Sequence, residues 1–137
     1  MNVDDPQWYR RAIFYEVLVR GFNDSSGDGT GDLRGVTEKL DYLEWLGIDC
    51  LWLLPFYLAD GGYDISDFFS VHPDYGTVGD AAELIDEAHR RGMRVIADMV
   101  MNHTSDQHPW FQESRQSRTN PRADWYVWND DNDRWAE

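Results

Sequence analysis

Residues 94–103 carry the sequence RVIADMVMNH, an apolar run that ends in two polar side chains. The part from 94 to 101 is almost wholly apolar and predicts a buried strand. Two other segments predict strands of the same kind, residues 13–20 (IFYEVLVR) and 49–54 (DCLWLL). The second is so uniformly apolar that we expect it to be covered on both faces.

Apolar residues at helical spacing occupy the two intervals between these strands. The first stripe predicts one amphipathic helix that ends at Gly47, and it consists of Leu33, Val36, Leu40, Leu43 and Leu46. The second stripe predicts a helix that ends at Arg90-Arg91-Gly92, and it consists of Ala81, Leu84, Ile85 and Ala88. Residues 55–78 are expected to form a long loop, and no clear period follows Asn102.

The order of strand, helix, strand, helix, strand predicts a parallel sheet with right-handed crossovers. Three strands do not complete a barrel, so we expect the beginning of a larger α/β domain. A complete small doubly wound domain is the alternative. Three parallel strands would leave an edge and an apolar face bare, so the chain alone is expected to fold poorly.

Composition and charge exclude several classes of protein. The chain has 137 residues and a formal net charge of −14, which argues against nucleic acid or an anionic membrane as partner. With Cys50 as the one cysteine, no internal disulfide is possible. The first residues lack a secretory signal pattern, and no apolar run is long enough to span a membrane. We therefore expect a cytoplasmic protein.

Residues 24–32 read DSSGDGTGD and are a candidate calcium loop. Oxygen-bearing side chains alternate with glycine, and calcium takes about 6–8 oxygen ligands. We assign ligands to side chains at Asp24, Ser26, Asp28 and Asp32 and to the carbonyl of Thr30. The loop is no EF-hand, since Gly35 stands where that motif requires Glu. The alternative is a solvated acidic turn.

Two further clusters carry polar side chains next to predicted strands. Asp98 interrupts an apolar strand, and Asn102 and His103 follow it at the end where α/β sheets collect functional residues. The segment DGGYD at 60–64 offers an aromatic face and acidic acceptors, a combination that suits a sugar. The alternatives are a loop-pinning histidine and an ordinary glycine-rich turn. No motif for an organic cofactor or for zinc is present.

These blocks resemble the α-amylase superfamily of glycoside hydrolases, family 13. The segment 98–103 (DMVMNH), followed by 104–111 (TSDQHPWF), resembles the first conserved block of that family. The calcium loop is similar to its pattern DxNxDGxGD, with Ser26 in place of Asn. Segments 14–17, 52–57 and 124–130 resemble the trehalose synthases within the family. The oligo-1,6-glucosidases share most of the rest and remain an alternative.

The resemblance implies an α/β fold, the N-terminal part of a (β/α)8 TIM barrel. Residues 1–103 would form its first three β/α units, and residues 104–137 would begin a loop-rich B domain. Asp60, Tyr63 and His103 would bind the non-reducing glucose, although the loop before Asp60 is shorter than is usual in the family. Asp98 would be a structural carboxylate. Asn102 would ligate a second calcium, with Gln107 and His108 as weaker candidates.

The resemblance also implies a retaining glucosyl-transferring enzyme that interconverts maltose and trehalose and uses no organic cofactor. It does not decide whether the parent protein is a homo-oligomer. Its nucleophilic Asp, acid/base Glu and stabilising Asp are expected on later strands, so the 137-residue chain alone is expected to be inactive. One alternative is an oligo-1,6-glucosidase or α-glucosidase of the same family. Alternatives of other kinds are a stand-alone calcium-dependent sugar-binding module and a truncated product without function.

Overall fold

The computed structural model of the protein describes residues 5–130. In chain order its strands and helices are β1 (Phe14–Val17), α1 (Val19–Phe22), α2 (Leu33–Glu38), α3 (Leu40–Leu46), β2 (Cys50–Leu53), β3 (Tyr57–Ala59), β4 (Ile65–Val71), α4 (Val78–Arg90), β5 (Arg94–Ala97) and α5 (Pro109–Ser114). Single 3-10 turns lie at Trp8–Arg10, Pro73–Tyr75 and Ala123–Trp125.

Strands β1, β2 and β5 form a three-stranded sheet in that order, and both pairings are parallel. Glu16 on β1 lies opposite Trp52 on β2, which in turn lies opposite Ile96 on β5. The helices α2, α3 and α4 connect these strands, as the alternating pattern predicts. A parallel α/β unit is therefore confirmed.

The apolar core fills one face of this sheet. Val17, Leu51 and Leu53 point into it and pack with residues of α2, α3 and α4, including Val36 and Leu84. Side chains alternate between the faces of a strand, so their neighbours point the other way.

On the opposite face, Phe14, Trp52 and Ile96 are between 37% and 39% exposed. The prediction that the second strand is covered on both faces is wrong within the described residues. The apolar content of β2 reflects two different environments, one packed by helices and one only partly covered, since Cys50 is fully buried there and Trp52 is 37% exposed.

The first helical stripe forms two helices, where the sequence predicts one. Lys39 separates α2 from α3, with φ −97° and ψ 3°, and its amide donates to the carbonyl of Val36 at 3.0 Å. Leu33 and Leu43 are fully buried on either side of the break, while Leu46 is 43% exposed. The buried residues of both helices still pack into the same core cluster. Gly47 ends α3 with φ +83°, as predicted.

Strands β1 and β5 are both shorter than predicted. After Val17 the chain turns into α1, whose Val19 is 2% exposed, so a β-branched residue is buried in a helical turn. Strand β5 ends at Ala97, four residues before the predicted end at Met101. Local β propensity is overridden by packing at both ends.

The predicted loop 55–78 contains an antiparallel hairpin of β3 and β4. It carries a second small core, in which Ala59 and Ile65 are buried with Val100, from the segment after β5. Residues after Asn102 also form α5, which the sequence pattern does not indicate. The hairpin thus lies against the segment that follows the last strand of the sheet.

Helix α4 has the most complete termini of the described helices. Thr77 and Asp80 form a capping box, and Arg34 of α2 donates to Asp80 at 2.8 Å. Hydrogen bonds from the hydroxyl of Thr77, from Arg34 and from the amide of Thr77 lower the pKa of Asp80 to about 2. In residues 5–130 no helix combines the length and apolarity that crossing a membrane requires.

Candidate functional site

Two segments meet near the carboxyl ends of the parallel strands. One is the loop 60–64 of the hairpin, and the other is the stretch from Asp98 to Ser105 after β5. The amide of Asp60 donates to the carbonyl of Asp64 at 3.0 Å, and this bond closes the loop. Gly62 has φ +90°, a backbone conformation that favours glycine, so the turn depends on that residue.

Tyr63 projects from this loop and is 48% exposed. Its pKa is raised mainly by partial desolvation, and also by the negative charges of Asp98 and Glu16 nearby. About half of its side-chain surface remains accessible.

His103 lies beside the same loop. Its Nε2 is 3.9 Å from a carboxylate oxygen of Asp64, and its Nδ1 is 3.3 Å from the side-chain nitrogen Nδ2 of Asn102. The imidazole is thus placed between its neighbour in sequence and the hairpin loop. It is an exposed side chain that a ligand can reach.

Asp98 follows β5, whereas the sequence places it inside the strand. Its amide donates to the carbonyl of Leu53 at 2.8 Å, which continues the ladder by one bond. The side chain is half-buried beside Tyr63, so its expected burial in an apolar strand is wrong. Its assignment as a structural carboxylate stays a prediction.

Asp60 is exposed and accepts a short hydrogen bond from the hydroxyl of Ser105. It lines a cavity of about 240 Å³ that Arg20 and Tyr75 also line. His103 lines a separate, largely apolar groove of about 680 Å³. Although the two cavities are separate, His103 lies beside the loop that carries Tyr63. Ser105, two residues after His103, is hydrogen-bonded to Asp60 of the same loop.

Two residues at this site, Glu16 and Ser105, are absent from the sequence-based assignment of ligand contacts, and Asp64 is assigned only as one of two acidic acceptors. Glu16 carries a detectable signal, because it is a charged residue within an apolar strand. Asp64 lies in the DGGYD segment, but nothing in that segment indicates His103 as its neighbour. Ser105 carries no such signal, since its partner is 45 residues away.

The loop 24–32 is closed by hydrogen bonds from its own backbone. The carboxylate of Asp24 accepts N–H bonds from Gly27 and Gly29, both at 2.7 Å, and these bonds lower its pKa. The amide and hydroxyl of Ser26 also donate to Asp24. Asp28 accepts from the amide of Thr30 at 2.8 Å.

Asp32 has a further role as the N-cap of α2. It accepts from the amide of Gly35 at 2.6 Å and from both the amide and the hydroxyl of Ser25. Burial and the charge of Asp24 raise its pKa, but these hydrogen bonds outweigh them and the pKa is lowered. Asp24 and Asp32 are thus two ionised carboxylates near one another.

Oxygen-bearing residues of this kind suit a hard cation. Within residues 5–130, however, no three His, Cys, Asp or Glu side chains are gathered closely enough to hold a metal. The carboxylates accept hydrogen bonds from amide groups of the loop itself. Calcium in this loop stays a prediction.

The residues assigned to a second calcium have other contacts. Asn102 lies against His103. The amide of Gln107 donates to the hydroxyl of Ser105 at 3.0 Å. His108 is 5% exposed and accepts from the amide of Trp110, which places it at the start of α5. Burial lowers its pKa.

Comparison with known proteins agrees with this architecture. The chain is 62% identical over 136 residues to a trehalose synthase/amylase TreS of Mycolicibacterium smegmatis, covering 97% of this chain and 23% of the relative. It is 51% identical over 127 residues to an oligo-1,6-glucosidase of Bacillus sp. (strain F5), covering 90% and 25%.

The fold is also similar to that of a solved isomaltulose synthase mutant from Erwinia rhapontici NX5 in complex with D-glucose. The TM-score is 0.88 with 47% sequence identity, over 92% of this chain and 23% of that chain. The chain thus spans about a quarter of the length of these relatives. The predicted fold class is confirmed. Residues 16–136 match the family described as "Alpha amylase, catalytic domain", and the chain belongs to the α-amylase family.

Proposed function

We propose that the polypeptide carrying this chain transfers glucosyl units with retention and interconverts maltose and trehalose. In this proposal the chain supplies part of the pocket for the non-reducing glucose. The observation that carries it is the meeting of Tyr63 and His103 with carboxylates at the carboxyl ends of parallel strands, the edge where barrel enzymes hold their substrates. The 62% identity to a trehalose synthase favours this activity over that of the glucosidase relative, at 51%.

Each side chain has a contact that its chemistry allows. The exposed ring of Tyr63 offers an apolar face for the C–H groups of a pyranose, and its hydroxyl lies near Asp98. The carboxylate of Asp60 accepts a sugar hydroxyl with the oxygen that Ser105 does not use. His103 presents a ring nitrogen beside Asp64 for a further hydroxyl.

The chemical step needs two more carboxyl groups, about 5–5.5 Å apart in retaining enzymes. One attacks the anomeric carbon as the other protonates the leaving oxygen, and the covalent glucosyl group is then passed on. For an isomerisation the acceptor is the released glucose, so water must be kept out of the pocket. These carboxyl groups are proposed to lie outside this chain.

The test is incubation of the native polypeptide with maltose, followed by chromatography of the products. Trehalose as the main product supports the proposal. Glucose alone would favour the glucosidase alternative. No product would overturn both. The 137-residue chain by itself is expected to give neither sugar.

We also propose a calcium ion in the loop 24–32, supported by the alternating oxygen-bearing residues and by the proximity of Asp24 and Asp32. Chelation is expected to lower the melting temperature of the native polypeptide, and calcium is expected to restore it. The substitution D28N should abolish this response. The control D86N, at an exposed site on α4, should keep it. A melting temperature that is insensitive to chelator would contradict the proposal.

A cytoplasmic location is the expectation that accompanies this function. It is supported by the sequence, which has one cysteine and therefore no internal disulfide. Subcellular fractionation of the source cells tests it.

A further inference from the structure

Ser105 is a buried serine whose polar atoms are all engaged, and its contacts connect the two segments of the site. It is 3% exposed. Its amide donates to the carbonyl of Ile65 on β4 at 2.8 Å, which attaches the segment after β5 to the hairpin. Its carbonyl accepts from the amide of His108 and from the hydroxyl of Thr104.

The hydroxyl of Ser105 has a fixed direction. The amide of Gln107 donates to Oγ at 3.0 Å, so this contact uses the oxygen as an acceptor. The one hydroxyl proton is then left for Asp60, whose carboxylate oxygen accepts it. One serine therefore determines which oxygen of Asp60 is used within the protein.

Asp60 needs such support because the rest of its loop gives little. The residue is exposed, and Gly61 and Gly62 follow it directly. Its amide is bonded to Asp64, but that bond holds the main chain and leaves the side chain free to rotate. The bond from Ser105 restricts the carboxylate to one orientation.

We propose that Ser105 is a positioning residue for glucose binding, which holds the Asp60 carboxylate so that its second oxygen faces the sugar hydroxyl. This inference rests on the proposed function of Asp60. Ser105 also follows His103 by two residues, so the same anchor sets the distance between the two sugar-facing segments.

The test is steady-state kinetics of the native polypeptide with maltose. The substitution S105A should raise KM roughly five- to tenfold and change kcat less than about twofold, since one hydrogen bond that supports ground-state and transition-state binding equally is removed. The variant S105C, whose thiol is a weak donor of similar size, should shift KM in the same direction.

A matched control is available in Ser114. It is also 3% exposed, and its hydroxyl is likewise bonded twice, to the carbonyl of Ala123 and from the indole of Trp128. The substitution S114A should lower the melting temperature about as much as S105A and leave KM unchanged. If the role of Ser105 were merely structural, S105A and S114A would have the same effect on KM.

A double-mutant cycle with D60A separates the two levels of the proposal. If Ser105 acts through Asp60, S105A adds less than about twofold to KM in the D60A background. A full additional increase there, or an S105A enzyme with unchanged KM beside an impaired D60A enzyme, overturns the role of Ser105 alone. An unimpaired D60A enzyme would overturn the proposed role of Asp60 and, with it, this inference.

Discussion

Two loops rich in aspartate and glycine, residues 24–32 and 60–64, are held in different ways. In the first, Asp24 and Asp28 accept hydrogen bonds from amides two to five residues away. In the second, Asp60 is bonded by Ser105, and Asp64 lies 3.9 Å from His103, so both side chains have partners far along the chain. The first loop specifies its own shape, while the second becomes a site only when another segment reaches it.

The largest difference between the loops should appear on substitution of their glycines. A Cβ added at Gly31, in the first loop, would clash with the backbone carbonyl of Val19, so G31A requires a main-chain shift. We expect G31A to destabilise the native polypeptide by about 3 kcal/mol.

In the second loop, a Cβ at Gly61 meets only the end of the Asp64 side chain at 3.3 Å. G61A should therefore change stability by less than about 1 kcal/mol. Denaturant unfolding of the two variants measures the contrast, and equal losses would show that the first loop is not the more tightly fitted one.

A smaller effect is expected at the helix cap that ends the first loop. D32A removes the acceptor for the amide of Gly35 and for both donors of Ser25, and should cost about 1–2 kcal/mol. D32N keeps an oxygen acceptor and should recover part of the loss. Thermal unfolding of both variants is the measurement. If D32A and D32N are equally unstable, then the negative charge matters more than the cap.

The smallest effect concerns acidic pH. The pKa of Asp32 lies below its usual value of 3.8, because hydrogen bonds from Gly35 and Ser25 outweigh burial. A lowered pKa in the folded state contributes stability above about pH 3.8, and this contribution is lost as the pH falls through the folded-state value.

The difference in melting temperature between the native polypeptide and its D32N variant should therefore stay constant from pH 5 to about pH 3.8 and narrow at lower pH. Melting curves across that range check the sign. A difference that is also constant at the lower pH would show that the charge of Asp32 does not contribute.

Much of the fold follows from patterns within short segments. The spacing of Leu33, Val36, Leu40 and Leu43 indicates the buried face of the first helical region, and all four are fully buried. The break at Lys39 could not be predicted in this way, because both helices keep the same apolar face across it. Gly47 ends the second of these helices as its position suggests, since glycine readily adopts the positive φ found there.

The hairpin of β3 and β4 was missed because its core is completed from a distance. Ala59 and Ile65 pack with Tyr57 and Phe68 of the hairpin, but the cluster is completed only by Val100 from the segment after β5. A periodicity test examines one segment at a time and does not include such a partner.

The sequence by itself determined the parallel α/β order, the closed shape of the loop 24–32 and the residue types that suit a sugar at positions 60–64 and 103. Each of these depends on side chains and amides within a few residues of one another. The tertiary structure alone decided which face of β2 is covered, that Tyr63 reaches Asp98, and that Ser105 holds Asp60. These contacts join residues tens of positions apart, and they form only when packing of the hairpin against the segment after β5 offsets the entropy of closing the chain between them.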